Sequence, residues 1–230
     1  MRAMFIMSQR WNDLLFMHWP VPATQMRGLV PSSLELDLFD ASAWVSVTPF
    51  YLSHLRPRGL PAIPGVSAFP EVNVRTYVKR GGRAGVYFFS LDAGNRLAVT
   101  GARATYHLPY FRALMTVTRV PGKVQYHSHR THPNARPAEL SVEYGAIGDV
   151  YRSAPGSLDH FLTERYSLFA LDGQRVYRAD IAHEPWPLQP AEVTIRTNTM
   201  ASAAGIDVVG RPRASFAKRL DVGVALPRRV

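Results

Sequence analysis

Residues 69–78 constrain the fold more than any other segment of the chain. They read Phe-Pro-Glu-Val-Asn-Val-Arg-Thr-Tyr-Val and alternate two kinds of side chain with a period of two residues, which is the period of a β-strand. The Gly-Gly turn at 81–82 is followed by a second apolar run at 86–92, so the pattern predicts a β-hairpin. One face of the first strand carries Glu71, Asn73, Arg75 and Tyr77, and the other carries Val72, Val74, Thr76 and Val78.

The polar face of this strand has two interpretations that periodicity does not separate. In the first, Glu71, Asn73 and Arg75 face water while the valines face a core. In the second, the polar row lines a cavity inside a curved sheet. Glu71 and Arg75 are four residues apart, which separates their Cα atoms by ~13 Å along a strand. If they face inwards, each therefore needs a partner on another strand, from water or from a ligand.

Composition is that of a folded domain. Hydrophobic residues make up 47% of the 230 residues, and there are 11 Phe, 10 Tyr and 4 Trp, enough for a sizeable core. No linker or repeat divides the sequence, so residues 1–230 are predicted to form a single domain. The chain has no cysteine and no apolar run near the ~20 residues of a membrane helix. We expect a cytoplasmic protein without a membrane partner.

The formal net charge of +10 raises the question of nucleic-acid binding. Three of the 27 basic residues are lysines and the rest are arginines scattered along the chain. No zinc finger, basic helix or ribonucleoprotein motif accompanies them. The sequence therefore argues against a nucleic-acid partner, and it leaves a homo-oligomer open.

The remaining segments predict a mainly β protein of the α+β type. Helices are predicted at 22–30, at 157–165 after the capping residue Ser157, and at 198–204. We expect mostly antiparallel β structure with two or three short helices, curled into a barrel or a sandwich. Strands are predicted at 14–19, 34–39, 43–48, 112–120, 123–130, 138–144, 166–171, 175–181, 191–196 and 220–225, with 34–48 and 166–181 as hairpins.

Candidate site residues cluster in and after the 69–78 hairpin. Glu71 and Tyr110 are the candidate catalytic groups, because a buried carboxyl can carry a proton and a phenol can donate to an oxyanion. No metal site or cofactor is predicted, although His127 and His129 share a strand face. The candidate ligand-binding residues are Asn73, Arg75, Ser90, Arg103, Tyr106 and His107.

Long segments of the chain resemble the YqjF-like family of unknown function, DUF2071. They are Trp11–Val21, 64–78, 86–92 and 162–166, and the resemblance extends from about residue 10 to 225. It implies a relation to the acetoacetate decarboxylase-like superfamily, whose fold is a largely antiparallel β cone or barrel around a small-molecule pocket.

Acetoacetate decarboxylases carry a segment similar to Gly-Arg-Glu-x-Trp-Gly-Phe-Pro-Lys-Lys, in which the first lysine forms a Schiff base. Aligned on Pro109, the resemblance places Tyr110 at that lysine and Arg103 at the motif arginine. Tyr106 falls on the tryptophan and Ala104 on the glutamate.

The same resemblance places Glu71 near the decarboxylase's pocket glutamate. Schiff-base catalysis needs a buried amine, but Lys79 lies at a turn, Lys123 follows Pro-Gly, and Lys218 is in an Arg-rich segment. The sequence therefore predicts a protein that does not use imine chemistry.

Four functions remain open at this point. The first is binding of a small anionic or carbonyl-bearing metabolite, and the second is a lysine-independent acid/base enzyme that uses Glu71 for enolisation, hydration or a lyase step. The third is a structural or regulatory interaction protein with a vestigial pocket. The fourth, and the one least supported by the residues, is nucleic-acid binding.

Overall fold

A computed structural model of the protein describes residues 5–230, which form thirteen strands and four short helices. The helices are α1 (Ala23–Leu29), α2 (Arg96–Tyr106), α3 (Leu158–Thr163) and α4 (Met200–Ala203). The strands are β1 (Phe5–Val21), β2 (Glu35–Leu36), β3 (Ala43–Pro57), β4 (Phe69–Arg80), β5 (Arg83–Ala93), β6 (Tyr110–Val120), β7 (Lys123–Arg130), β8 (Glu139–Ala146), β9 (Ser167–Asp172), β10 (Arg175–Ala182), β11 (Gln189–Asn198), β12 (Arg213–Ala225) and β13 (Arg228–Arg229).

All thirteen strands belong to one sheet, and that sheet closes on itself twice. The first closure is a barrel of nine strands in the order β5-β6-β7-β8-β11-β12-β1-β3-β4, completed by the pairing of β4 with β5. The second is a ring of seven strands, β12-β1-β3-β4-β5-β9-β10, completed by the pairing of β10 with β12. The mainly β barrel predicted from the sequence is thus confirmed, with four helices instead of two or three.

The five strands shared by the two rings form a wall that is buried on both sides. On β4, Val72 and Val74 belong to the core of the nine-strand barrel, whereas Tyr77 belongs to the core of the seven-strand ring. Glu71 is 3% exposed and Arg75 is 7% exposed. The polar face of this strand therefore does not face water, and the reason is that a second ring of strands closes over it.

Most predicted elements appear within a few residues of their predicted bounds, but the hairpin at 34–48 is wrong. Phe39 and Ser42 form the predicted turn through a single bridge. Beyond it, β2 pairs with β4 through Leu36 and Val78, and β3 pairs with β4 from Val45 onwards. β2 and β3 therefore lie one after the other along the same edge of β4. β2 has only two residues, and both of them pair with β4 instead of β3.

The helix α2 was not among the predicted helices, and it contains most of the segment that aligns with the decarboxylase motif before Pro109. The side chain of Asn95 caps it by accepting hydrogen bonds from the backbone N–H groups of Leu97 and Ala98. It ends at His107, which adopts a left-handed conformation with φ 52°. The cap was readable in the sequence, but the β-branched residues and Gly101 weaken the helical propensity of the segment.

No helix among residues 5–230 combines the length and apolar character that crossing a bilayer requires.

Candidate functional site

A cavity of about 310 Å³ lies inside the seven-strand ring. Most of its wall is apolar and includes Trp11, Phe50, Phe88 and Trp186; the two indole rings stack with their centroids 5.8 Å apart. The cavity has the size and lining typical of small-molecule sites. The polar side chains that reach it are Gln9, Thr48, Glu71, Asn73, Arg75, Thr105, Tyr106, Tyr110, Thr163, Arg165 and His183.

Glu71 and Tyr110 form a hydrogen-bonded pair at one part of the cavity. The Tyr110 hydroxyl donates to Glu71 Oε2 over 3.1 Å. Burial raises the pKa of Glu71 to about 8, with a smaller contribution in the same direction from Asp92 and an opposing one from the Tyr110 hydrogen bond. Burial and the neighbouring Glu71 hold the pKa of Tyr110 well above its usual value. Glu71 is therefore predominantly a neutral carboxylic acid at pH 7.

Arg75 is a buried cation without a carboxylate partner. Its Nη2 lies 3.5 Å from the carbonyl oxygen of Leu162, at the C-terminal end of α3, and its guanidinium carbon lies 5.3 Å from the centroid of the Phe16 ring. Its Nε has no hydrogen-bond partner. Burial lowers the pKa of Arg75, but an arginine remains charged at neutral pH because its usual pKa is above 12.

The other two buried arginines are paired, which sets Arg75 apart. Arg130 forms a bidentate pair with Asp92, with both N–O distances 2.6 Å. Arg165, which also lines the cavity, lies 2.6 Å from Asp37. Since a buried charge is normally paired, the described residues leave Arg75 as the one buried arginine that does not meet this rule.

At neutral pH the cavity therefore carries one positive charge that its own residues do not balance. Glu71 is protonated, and burial lowers the pKa of His183 so that its imidazole is neutral. Arg165 is paired with Asp37, a carboxylate that it shares with Lys79. Two further buried polar atoms at the cavity, Asn73 Oδ1 and the hydroxyl oxygen of Tyr106, also lack a hydrogen-bond partner. The charge of Arg75 suits an anionic guest, whereas Asn73 Oδ1, an acceptor, would need a donor on that guest.

The structure brings five of the eight predicted site residues together. They are Glu71, Asn73, Arg75, Tyr106 and Tyr110, and all of them line the cavity. Their roles in binding or catalysis remain predictions.

The other three predicted residues lie outside the cavity. Ser90 pairs across the sheet with Val74, so its side chain points to the opposite side of the wall, where the nine-strand barrel lies. Arg103 is exposed on α2 and donates to the backbone oxygen of Tyr110. His107 packs on the ring of Tyr177, with centroids 4.8 Å apart, beyond the last residue of α2. Arg103 lies on the side of α2 that faces away from the cavity.

Several cavity residues were not predicted, because they come from distant parts of the chain. Arg165, His183, Trp11 and Trp186 reach the cavity from β1 and from the segments around α3 and β10. The segments containing Trp11 and Arg165 were singled out by the family resemblance, but no local pattern indicated that they would meet β4.

The three lysines lie away from the cavity and each pairs with a carboxylate. Lys79 pairs with Asp37 and Lys218 with Asp13. Lys123 pairs with both Glu143 and Glu192. None of the three lines the cavity. Among residues 5–230 no group of three or more His, Asp or Glu side chains is arranged to hold a metal ion.

Sequence comparison matches residues 8–221 to DUF2071, a family described as an uncharacterized conserved protein. The uncharacterized protein YqjF of Bacillus subtilis (strain 168) is 47% identical over 221 residues, which cover 96% of this chain and 90% of that protein.

Structural comparison finds the same fold in acetoacetate decarboxylase-like enzymes. The enduracididine biosynthesis enzyme MppR aligns with a TM-score of 0.68 when bound to HEPES buffer, at 10% identity over 99% of this chain and 88% of that chain. Its complex with pyruvate aligns with a TM-score of 0.64, at 11% identity over 99% and 91% of the two chains. An acetoacetate decarboxylase-like enzyme from Sphingomonas wittichii RW1 gives 0.64, at 11% identity over 99% and 94%. At these identities the likeness shows the fold alone.

Proposed function

Because the chain belongs to the DUF2071 family and has the acetoacetate decarboxylase-like fold, we propose that it binds a small carboxylate metabolite inside the seven-strand ring. One observation carries the proposal, namely the buried guanidinium of Arg75 without a carboxylate partner among the described residues. A carboxylate on the ligand would supply that missing partner, and arginine binds carboxylates through paired hydrogen bonds.

The rest of the cavity favours a carboxylate that also carries a carbonyl group. Glu71 is neutral at pH 7 and is hydrogen-bonded to Tyr110, so its carboxyl hydrogen is available to a carbonyl oxygen. Asn73 lies between Glu71 and Arg75 on β4, and its unpartnered Oδ1 is an acceptor that would need a donor, such as a hydroxyl group, elsewhere on the ligand. The binding of pyruvate by MppR, a protein of the same fold, is consistent with this class of ligand.

The proposal excludes a Schiff base to the ligand. The cavity is lined by no lysine, and the position that the motif alignment assigns to the decarboxylase lysine is Tyr110. A phenol does not condense with a carbonyl to give an imine, because only an amine supplies the nitrogen. Binding would therefore be non-covalent.

We expect wild-type protein to bind a straight-chain carboxylate about 10- to 100-fold more tightly than the primary alcohol of the same chain length. The physical reason is the charge-assisted hydrogen bond to a buried guanidinium, worth about 1.5–3 kcal/mol. Isothermal titration calorimetry at pH 7 with hexanoate and hexanol makes the comparison. Equal affinity for the two compounds would contradict the proposal, and the absence of binding by either would favour the vestigial-pocket interpretation.

A second candidate function, acid/base catalysis, is favoured by the raised pKa of Glu71. A carboxyl that titrates near pH 8 can both accept and return a proton under physiological conditions. In its ionised form Glu71 would remove a proton from the carbon atom next to a ligand carbonyl. The electron pair of the broken C–H bond would then form an enolate, and the same carboxyl would return a proton to that carbon.

We expect 2-oxobutanoate in D₂O to exchange its C3 hydrogens in the presence of the protein if Glu71 is this base. Proton NMR would follow the loss of the C3 signal, with a rate that rises about tenfold per pH unit below pH 8 and then levels off. Glu71→Gln should abolish the exchange, whereas Glu139→Gln, at an exposed surface carboxyl, should not. Borohydride added to the reaction should leave no adduct mass on the protein. Exchange that survives in Glu71→Gln, or an adduct on a lysine, would rule the mechanism out.

A further inference from the structure

The helix α2 presents a face of small side chains to the cavity. Ala98, Gly101, Ala102 and Thr105 are spaced by three and four residues, which places them on one side of the helix, and all four line the cavity. Large side chains form most of the opposite wall. The cavity therefore extends up to the backbone of α2.

Gly101 is the member of this face that calls for an explanation. Glycine weakens the interior of a helix relative to alanine, and Gly101 lies within α2 with no positive φ that would require it. A Cβ atom built at this position meets no other atom within 4 Å. Neither backbone conformation nor packing within the protein demands glycine here: Gly101 is an exposed residue that also lines the cavity, and the space beside it is open.

The polar groups of the cavity indicate that this space belongs to a ligand site. Tyr106, on the same helix, is 7% exposed and lines the cavity, and its buried hydroxyl has no hydrogen-bond partner. Tyr110 follows α2 closely and donates to Glu71, while Arg75 contacts α3. Along the cavity, α2 therefore lies on the Glu71 side and Arg75 lies on the α3 side.

We propose that the small-residue face of α2 sets the maximum length of the ligand. This inference rests on the proposed function: a carboxylate head at Arg75 directs the rest of the molecule past Glu71 towards α2. The ligand would then be a carboxylate with an apolar tail that ends against Ala98, Gly101, Ala102 and Thr105. Side-chain size at Gly101 and Ala102 would determine which chain lengths fit.

Calorimetric titration with straight-chain carboxylates from propanoate to decanoate tests the inference. For wild-type protein we expect affinity to rise about fourfold per added methylene up to a limiting length, and then to stop rising or to fall. Gly101→Leu and Ala102→Leu should shorten that limit by two or more carbons. The matched control is Ala104→Leu, which makes the same change at an exposed position of α2 that does not line the cavity and should leave the limit unchanged.

A parallel series of primary alcohols separates this inference from the proposed function, because alcohols need no partner at Arg75. A limit that shortens in both series supports the role of α2. If carboxylates bind no better than alcohols but the limit still shortens, the carboxylate proposal fails and the α2 inference stands. A limit that is unchanged in both leucine variants, or that shortens equally in Ala104→Leu, overturns the inference. Failure of both series to bind overturns both proposals.

Gly101→Ala keeps the inference testable if the leucine variants do not fold, because alanine strengthens a helix. Circular dichroism should show unchanged or increased helix content. Affinity for the carboxylate of limiting length should fall about fourfold, the effect of losing room for one methylene, while shorter carboxylates should bind as they do to wild type. Unchanged affinity for the limiting carboxylate would count against the inference.

Discussion

Replacing Arg75 with Met is expected to make the unliganded protein more stable and, at the same time, to abolish its preference for carboxylates. The folded protein buries the guanidinium against Phe16 and a backbone carbonyl without an anionic partner, so much of its desolvation cost is uncompensated. Methionine fills a similar volume without a charge. We expect the free energy of unfolding to rise by about 1–3 kcal/mol and carboxylate affinity to fall about 10- to 100-fold, to that of the alcohol.

Arg165→Met is the matched control, because Arg165 is also buried at the cavity but is paired with Asp37. Removing one member of a buried pair leaves the other poorly compensated. Lys79 remains beside Asp37 and limits the loss. We expect this variant to lose about 2–4 kcal/mol of stability.

Urea denaturation of the two variants at pH 7, without ligand, measures the difference. Stability changes of opposite sign are the expected result. A loss of stability in Arg75→Met as large as that in Arg165→Met would mean that the Leu162 carbonyl and the Phe16 ring already satisfy Arg75, and the basis for a carboxylate ligand would be lost.

Replacing Glu71 with Gln is expected to flatten the pH dependence of stability on the alkaline side of pH 4.5. In the unfolded chain Glu71 loses its proton near its usual pKa of 4.5, whereas in the folded protein it keeps the proton up to about pH 8. Between these values the folded state binds the additional proton, so the free energy of unfolding falls as pH rises. The slope from this group is at most about 1.4 kcal/mol per pH unit, which amounts to several kcal/mol over the interval.

Urea denaturation at pH 5.5 and pH 8.5 measures the free energy of unfolding of wild type and of Glu71→Gln. The contributions of the other titrating groups largely cancel in the difference between the two proteins. From pH 5.5 to pH 8.5, the free energy of unfolding of Glu71→Gln should increase by several kcal/mol relative to that of wild type. Glu139→Gln, at an exposed position, should follow wild type at both. Parallel behaviour of Glu71→Gln and wild type would show that Glu71 is already ionised in the folded protein, and the proton-carrying role proposed for it would then be excluded.

Local sequence patterns were sufficient for most of the secondary structure. The alternation at 69–78 and the Gly-Gly turn predicted β4, β5 and their antiparallel pairing, and Ser157 marked the start of α3, where its hydroxyl accepts a hydrogen bond from the N–H of His160. These features succeed because strand period, turn geometry and helix caps depend on residues close in sequence. The hairpin at 34–48 failed because tertiary pairing decided the partner of β2, and α2 was not predicted because its helical propensity is weak.

The sequence by itself determined that β4 would carry a carboxyl, an amide and a guanidinium on one face, and that the chain holds only three lysines, none in a suitable context for imine chemistry. Only the tertiary structure decided that the polar side of the wall is enclosed as well as the apolar side, because that depends on β10 pairing with β12 across more than forty residues of chain. Contacts between distant segments also gave Arg165 the partner Asp37, 128 residues away in the sequence, and left Arg75 without a carboxylate partner. The chemistry of each residue is local, but burial and pairing arise from contacts between distant segments, and these decide whether a polar strand face is a surface or a binding site.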